Sequence, residues 1–513
     1  MFTSLFKEVN AQYVDEVKPE KLIKNGIQGM LETLDPYTDF IPEEEAESFR
    51  ISTTGQYAGV GALVGDVKGK LVITHPYEGF PAYNAGLKVG DEIIAINDVI
   101  LKGKNTFEVS NLLKGQPKTK VKIVVKRFGQ KEPLTFDVTR AKISIKNVSV
   151  TEKLNNDIGY IKLDEFTPGA SKEFTAAFNQ LKVQGIKSLV IDLRDNPGGL
   201  LREAVNIVNL FLPKNTLIVE TKGKTEESNT KFHTLNNPAD LAIPIVVLVN
   251  DGSASASEIV AGSLQDYDRA VLIGQQTFGK GLVQITKPLA YNTQLKITTA
   301  RYYIPSGRCI QALNYAQRKE DGSASKMSDT IRAEFKTKAG RIVYADDGLA
   351  PDIFIEQKSF PSVINVLIEE GLFFDFATQF VNSKTINQID INEIEIGQPE
   401  FQSFIKFVKE ENFSYSSPLN KQVQQLAQAI EKEKSAIELK KQLENIQSII
   451  QQDKVQDLNN HQLTIRRILK QQIAFHLQLT KGLVISALPD DEAFIQAQSI
   501  LTDNTTFEKL LNR

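Results

Sequence analysis

A chain of 513 residues has room for three or four domains of about 100–200 residues each, and its 41% apolar and 24% charged residues are those of an ordinary globular protein. A net charge of −3 gives no basis for binding nucleic acid or a membrane surface. The single cysteine, Cys309, excludes an internal disulfide framework and a cysteine-held metal cluster, and four scattered histidines (His75, His233, His461, His476) count against a histidine-rich metal site.

The chain opens with helical spacing. Leu5, Phe6 and Val9, then Leu22, Ile23, Ile27, Met30, Leu31 and Leu34 predict two or three short helices over residues 1–50, interrupted at Pro36 and Pro42. The first residues lack the basic start, apolar run and small-residue cleavage site of a signal peptide. The chain is therefore expected to be cytoplasmic, or to have lost its leader.

Residues 56–140 change character. β-branched runs such as Lys70-Leu-Val-Ile-Thr74 and Lys120-Val-Lys-Ile-Val-Val-Lys126 are punctuated by glycines, which predicts a compact, mostly β unit. From about 145 to 310, strands alternate with helices. The predicted strands are 159–163, 188–193, 243–250 and 270–274, and the predicted helices are 170–184, about 200–211 and about 256–267. This rhythm implies an α/β core. The run 243–250 is far too short to span a bilayer. The polar stretch from Lys222 to Asp240 reads as a long loop at the site.

Residues 355–513 form a helical tail. No glycine or proline occurs from Leu419 through Lys481, and apolar residues recur at three and four (Val423, Leu426, Ile430, Ile437; Leu439, Leu443, Ile446, Ile450). Such a tail is either a bundle packed on the core or a coiled-coil partner surface.

The chemistry concentrates in Asp251-Gly-Ser-Ala-Ser-Ala-Ser-Glu258 and Phe278-Gly-Lys-Gly281, with Gln284 beyond. The first places serines where an apolar strand feeds a helix, near free backbone N–H groups and the positive end of the helix dipole. Ser255 is one candidate nucleophile, and Ser253 and Ser257 have the same claim by spacing. Ser255-Ala-Ser-Glu258 also has the form of a capping box, which needs no catalysis. No histidine lies between His233 and His461, so a base would have to be a lysine. Lys280, between two glycines, fits if burial lowers its pKa by about three units, which costs about 4 kcal/mol. Gln284 could orient the amine. The turn Asp192-Leu-Arg-Asp-Asn-Pro-Gly-Gly199 ends a buried strand, where α/β folds gather ligands and where glycine amides suit an oxyanion.

Together these motifs, with Thr298-Thr-Ala-Arg-Tyr-Tyr-Ile-Pro-Ser-Gly307, resemble the C-terminal processing peptidases, or tail-specific proteases. The resemblance implies a crotonase-like α/β serine protease core, with Ser255 as nucleophile, Lys280 as base and Gln284 as its helper. The implied oxyanion donors are Gly199, with Gly198 as the other candidate, and the Ala256 amide. Residues 56–140, through Tyr57-Ala-Gly-Val-Gly-Ala62 and Ala85-Gly-Leu-Lys-Val-Gly-Asp-Glu-Ile-Ile94, resemble the PDZ domain inserted in these peptidases. Gly59, Val60, Gly61 and Ala62 would then be the loop that captures a substrate's C-terminal carboxylate.

The expected organisation is an N-terminal helical segment (1–55), a PDZ domain (56–140), the protease core (141–355) and a helical C-terminal extension (356–513). The expected activity is a serine endopeptidase that cuts polypeptides near their exposed C-termini, without metal or cofactor. Neither nucleic acid nor a membrane is an expected partner, and self-association through the helical terminal segments is left open. The family usually bears an export signal, which implies a periplasmic or cell-envelope site. The rival expectation is a catalytically inert peptide- or ligand-binding protein on the same fold.

Overall fold

The computed structural model describes residues 1–318, 323–326, 333–345, 347–383, 394–411, 413, 415, 418–432, 439–443, 445–446 and 454–512. The chain divides into two compact units. The first comprises residues 1–56, 146–356 and 492–513, and the second comprises 57–145 and 357–491.

The first unit is built on a six-stranded sheet. Its strands, in spatial order, are Val148–Leu154, Ile158–Leu163, Ser188–Asp192, Ile245–Val249, Val271–Gly274 and Ile353–Phe354. All neighbours are parallel except the first pair. Every residue of the three strands from 188, 245 and 271 is buried, which is why their sequences are near-continuous apolar runs, polar only at Ser188 and Asp192, rather than alternations. Leu189, Ile191, Ile245, Val247 and Leu272 join a core closed by the helices Ala170–Val183, Leu201–Asn209 and Ala256–Asp266. The alternate residues belong to the opposite face. There the ring of Phe494, on helix Glu492–Thr502, packs edge-on to Tyr160 with centroids 6.0 Å apart. Residues 492–513 thus complete the core instead of continuing the helices before them.

A second, five-stranded antiparallel sheet contains Asp39–Ile41, Gln294–Tyr303, Leu217–Gly223, Thr230–His233 and Leu282–Pro288. The polar stretch expected to be a loop therefore includes one arm of a hairpin. Glu220, Thr221 and Leu217 pair with Lys231, Thr230 and His233, and the polar side chains suit an edge ribbon. The N-terminal segment forms three helices, Phe2–Gln12, Pro19–Leu31 and Glu43–Thr54, with Pro36 and Pro42 in the breaks between the second and third.

In the second unit, residues 57–145 fold around a sheet ordered Ala62–Val67, Lys70–Pro76, Glu92–Ile96, Lys120–Lys126 and Leu134–Thr139. Its core includes Val60, Ile73, Ile96, Ile123 and Val125, closed by helix Thr106–Leu113. Asn105 and Glu108 cap that helix reciprocally, at 3.0 Å in both directions. The helical part has its own phenylalanine-rich core of Phe373, Phe376, Phe401, Phe404 and Phe407. The two parts meet directly: Lys68 Nζ lies 2.9 Å from both Asp375 and Glu411, and the His75 and Phe475 rings are 5.6 Å apart. Of the tail's apolar pattern, Val423, Ile430 and Leu443 cluster; Ile437 and Ile450 lie outside the described residues. No described helix is long and apolar enough to cross a membrane.

Candidate active site

Three loops leave the C-terminal ends of neighbouring parallel strands and meet. One is the turn after Ser188–Asp192, one the Ser/Ala run after Ile245–Val249, and one the glycine-rich segment after Val271–Gly274. They line a cleft of about 400 Å³ whose walls include Gly198, Gly199, Ser255, Ala256, Lys280, Gln284 and Tyr302. The six catalytic and oxyanion residues expected from the sequence are therefore brought to one place.

The structure separates the three serines. Ser253 Oγ is buried, donates to the Leu193 carbonyl (2.8 Å) and accepts from the Asn250 N–H (3.0 Å). Ser257 Oγ is equally buried and donates to the Asn196 carbonyl at 2.9 Å. Both hydroxyls are committed to loop structure. Ser255 alone lines the cleft, and it does so at φ 56°, ψ −112°, a conformation that costs of order 1–3 kcal/mol in a non-glycine residue. A strained turn between strand and helix points such a hydroxyl into the cleft rather than along the backbone.

Glu258 explains how the strain is held. Its carboxylate is buried and accepts four hydrogen bonds. These come from the N–H groups of Ser255 (2.8 Å), Gly279 (2.8 Å) and Lys280 (2.9 Å) and from the Thr277 hydroxyl (2.6 Å). The residue that a capping-box reading makes a helix cap thus ties the serine loop to the lysine loop. Burial pushes its carboxyl up to about 7, against the pull of the four donors. Tyr302 repeats the linkage on the carbonyl side. Its hydroxyl lies between the Lys280 and Ser255 carbonyls (3.0 Å to the latter), and both oxygens share its single proton.

Lys280 is mostly withdrawn from water, and burial lowers its pKa; the neighbouring Lys296 charge lowers it further, while Glu258 and Asp35 oppose. The flanking glycines let the chain close around it. A Cβ on Gly279 (φ 82°) would lie 2.6 Å from the Ala312 Cβ, and one on Gly281 would lie 2.8 Å from the Gln311 nitrogen. The ring of Tyr37 sits over the amine, 4.4 Å from Nζ. Gln284 Nε2 donates to Thr298 Oγ1 at 3.1 Å.

The glycine turn is equally determined. Gly198 (φ 98°) packs so closely that a Cβ would lie 2.8 Å from the Ser255 Cβ and the Ala256 nitrogen. Its own N–H, however, donates to Asn196 Oδ1 at 2.9 Å, so it is occupied within the turn. The Gly199 and Ala256 N–H groups have no acceptor among the described residues and border the cleft. Asn196 fastens the turn, donating to the Leu163 carbonyl (2.7 Å) and accepting the Ala254 N–H (3.0 Å) on its own carbonyl.

Gly59 ends strand Gln56–Gly59, and Val60 and Gly61 lead from it into Ala62, the first residue of strand Ala62–Val67, which is an edge strand paired only with Lys70–Pro76 among the described residues. Helix Thr106–Leu113 runs beside that strand. Gly61 has φ 77°, and a Cβ there would meet Phe80 at 2.6 Å. An open edge beside a helix is the geometry that accepts an added strand.

Asp35, Tyr37, Thr298 and the roles of Glu258 and Tyr302 are not apparent from spacing. The one local signal is Asp35-Pro-Tyr-Thr38, an aspartate-led turn with no catalytic signature of its own.

Comparison with known proteins agrees with this geometry. Residues 157–316 match the peptidase family S41, residues 72–127 match the PDZ domain, and residues 363–501 match the "probable PDZ-protease, C-terminal helical domain". The chain is 38% identical to a carboxy-terminal-processing protease of Bartonella bacilliformis over 61% of its own length and 72% of that protein's. It is 34% identical to the carboxy-terminal processing protease CtpB of Bacillus subtilis over 60% of its length and 64% of the relative's. A solved photosystem II D1 C-terminal processing protease is similar at 28% identity, with a TM-score of 0.38, covering 69% of this chain and 92% of that one. With its PDZ domain, its helical C-terminal region and a serine-bearing cleft on the S41 segment, the chain belongs to the carboxy-terminal processing proteases, which are serine-type peptidases.

Proposed function

We propose that this protein is an endopeptidase that cuts polypeptides near their C-termini through a Ser255–Lys280 dyad on a crotonase-like core. The observation that carries the reading is Glu258, which holds the backbone of both residues at once, so that a strained serine and a desolvated lysine share one cleft. Neutral Lys280 takes the proton from Ser255 Oγ as the oxygen attacks the scissile carbonyl. The resulting oxyanion is received by the Gly199 and Ala256 N–H groups, with the helix N-terminus behind them. On collapse, Lys280 returns the proton to the leaving amine and an acyl-enzyme remains. Lys280 then removes a proton from water, which attacks the ester, and passes that proton to Ser255 as the acid departs.

In the same reading, the loop Gly59–Ala62 takes the substrate's terminal carboxylate, and the substrate chain adds to the edge strand Ala62–Val67. Gly61→Val is expected to weaken binding of a C-terminal peptide at least about ten-fold, raising KM on peptide substrates while kcat changes little. Isothermal titration with a free-acid peptide and its C-terminal amide checks this, since the amide should bind weakly to both proteins. Self-association through the helical termini and a cell-envelope location belong to the same proposal. Phe2, Leu5, Met30 and Leu34 stand exposed on or beside the first two helices.

The pH profile tests the base. Lys280 acts only when unprotonated, so kcat/KM should rise with pH through its depressed pKa and level off. Lys296→Met removes a like charge and lets Lys280 hold its proton more tightly. The acid limb should therefore move to higher pH with the plateau largely kept. An unmoved limb would remove Lys296 from the account.

A further inference from the structure

We propose that Asp35 is a positioning residue of the active site: through Thr298 it sets which way round the Gln284 amide lies, and so how the Lys280 amine is aimed. This rests on the Ser255–Lys280 reading above.

A line of hydrogen bonds runs from the N-terminal segment to the cleft. Asp35 Oδ1 accepts the Tyr37 and Thr38 N–H groups, each at 2.9 Å, and Oδ2 accepts the Thr38 hydroxyl at 3.0 Å. Those contacts close the turn and need nothing beyond it. Oδ1 also accepts the hydroxyl of Thr298 at 3.2 Å, from a residue 263 positions away. Thr298 Oγ1 accepts Gln284 Nε2 at 3.1 Å, and the Thr298 N–H donates to Thr38 Oγ1 at 3.2 Å. Gln284 and Thr298 are direct cross-strand partners, and a register shift between Val283 and Gln284 re-aims the glutamine side chain.

The proton count fixes the direction of this line. A carboxylate only accepts, and a hydroxyl has one proton. The Thr298 proton is therefore spent on Asp35, and Thr298 can only accept from Gln284. The amide must present its NH2 group to Thr298, which leaves Oε1 for a donor in the cleft. A neutral amine has two N–H groups and one lone pair. For the lone pair to face the Ser255 hydroxyl, both N–H groups need acceptors elsewhere. Gln284 Oε1 is one acceptor, and the π face of Tyr37, 4.4 Å from Nζ, is the other. A reversed amide would instead offer NH2 to the lone pair and compete with the serine for it. The turn Asp35–Thr38 thus supplies the base with its cover and, through Thr298, with its orientation.

The test is a double-mutant cycle on kcat, measured across pH with an unfolded protein substrate. Thr298→Val is nearly isosteric and leaves the Asp35 turn its own bonds. It should lower the alkaline plateau of kcat by about ten- to hundred-fold with KM and the melting temperature little changed. Thr298→Ser should restore most of the loss. Asp35→Ala should also lower the plateau, but add little in the Thr298→Val background. If Asp35 acted by charge alone, its removal would shift the acid limb to lower pH and leave the plateau intact, which would overturn the proposal. So would a Thr298→Val enzyme with wild-type plateau kcat, or full additivity. Ser255→Ala separates the two levels. Activity remaining in that variant sinks the dyad and the relay together, whereas an inactive Ser255→Ala beside a fully active Thr298→Val sinks the relay alone.

Discussion

Ser255→Ala and Lys280→Ala are each expected to reduce cleavage of an unfolded protein by about four to six orders of magnitude while leaving the fold intact. Removing either member of a nucleophile–base unit costs about as much as removing both, so the double variant should be no slower than the singles. Mass spectrometry of the fragments gives the comparison. Wild type should release C-terminal pieces, and the two variants should leave the substrate whole. Neither substitution opens a large void, because both side chains border the cleft. A fluorophosphonate probe should label wild type at Ser255 and neither variant. Labelling at Ser253 or Ser257 would contradict the geometry, since both hydroxyls are buried and hydrogen-bonded to backbone carbonyls. Full activity in Lys280→Ala would reject the dyad.

The second large effect is expected at Glu258. Glu258→Gln keeps the shape but replaces one oxygen by an NH2 group, and all four of its neighbours are donors. Three of the four are backbone N–H groups, from Ser255, Gly279 and Lys280, which can only donate. Whichever oxygen is replaced, at least one backbone N–H then faces a donor in a buried site, a loss of about 1–3 kcal/mol. The core should melt several degrees lower, and kcat should fall at least about a hundred-fold as the Ser255 and Lys280 loops lose their shared anchor. Scanning calorimetry and kcat measured well below the melting temperature separate the two losses. A variant that is destabilised but fully active when folded would reduce Glu258 to a structural role.

Much of the core was legible because its strands are buried on both faces and so read as apolar runs, and because Gly/Pro turns punctuate them. The strand predicted at 188–193 is found at Ser188–Asp192, and the helix predicted at about 256–267 is Ala256–Asp266. The serine and lysine motifs were legible as local strings. Their assembly was not. Glu258 looks like a helix cap because three of its four donors come from loops that one sequence cannot align with it. Asp35 and Thr298 are far apart in sequence, and no periodicity signals a contact of that range. The hairpin arm Thr230–His233 was missed because a polar edge ribbon lacks the alternation that marks a half-buried strand. The helical tail was legible as helix, but its split was not: up to Asp491 it groups with residues 57–145, and from Glu492 it groups with the core.

That split bears on biosynthesis. The sheet carrying the serine loop has one face closed by helices encoded between residues 170 and 266, and Phe494 and Ala497 belong to the helix that meets the other. A ribosome emits that helix only after the whole PDZ domain and helical module. Until then, the strand that leads into the serine lacks its last wall, and the chain holds an unfinished peptidase. Order of synthesis thus leaves one face of strand Ile245–Val249 without its covering helix until both segments of the second unit, 57–145 and 357–491, have been made.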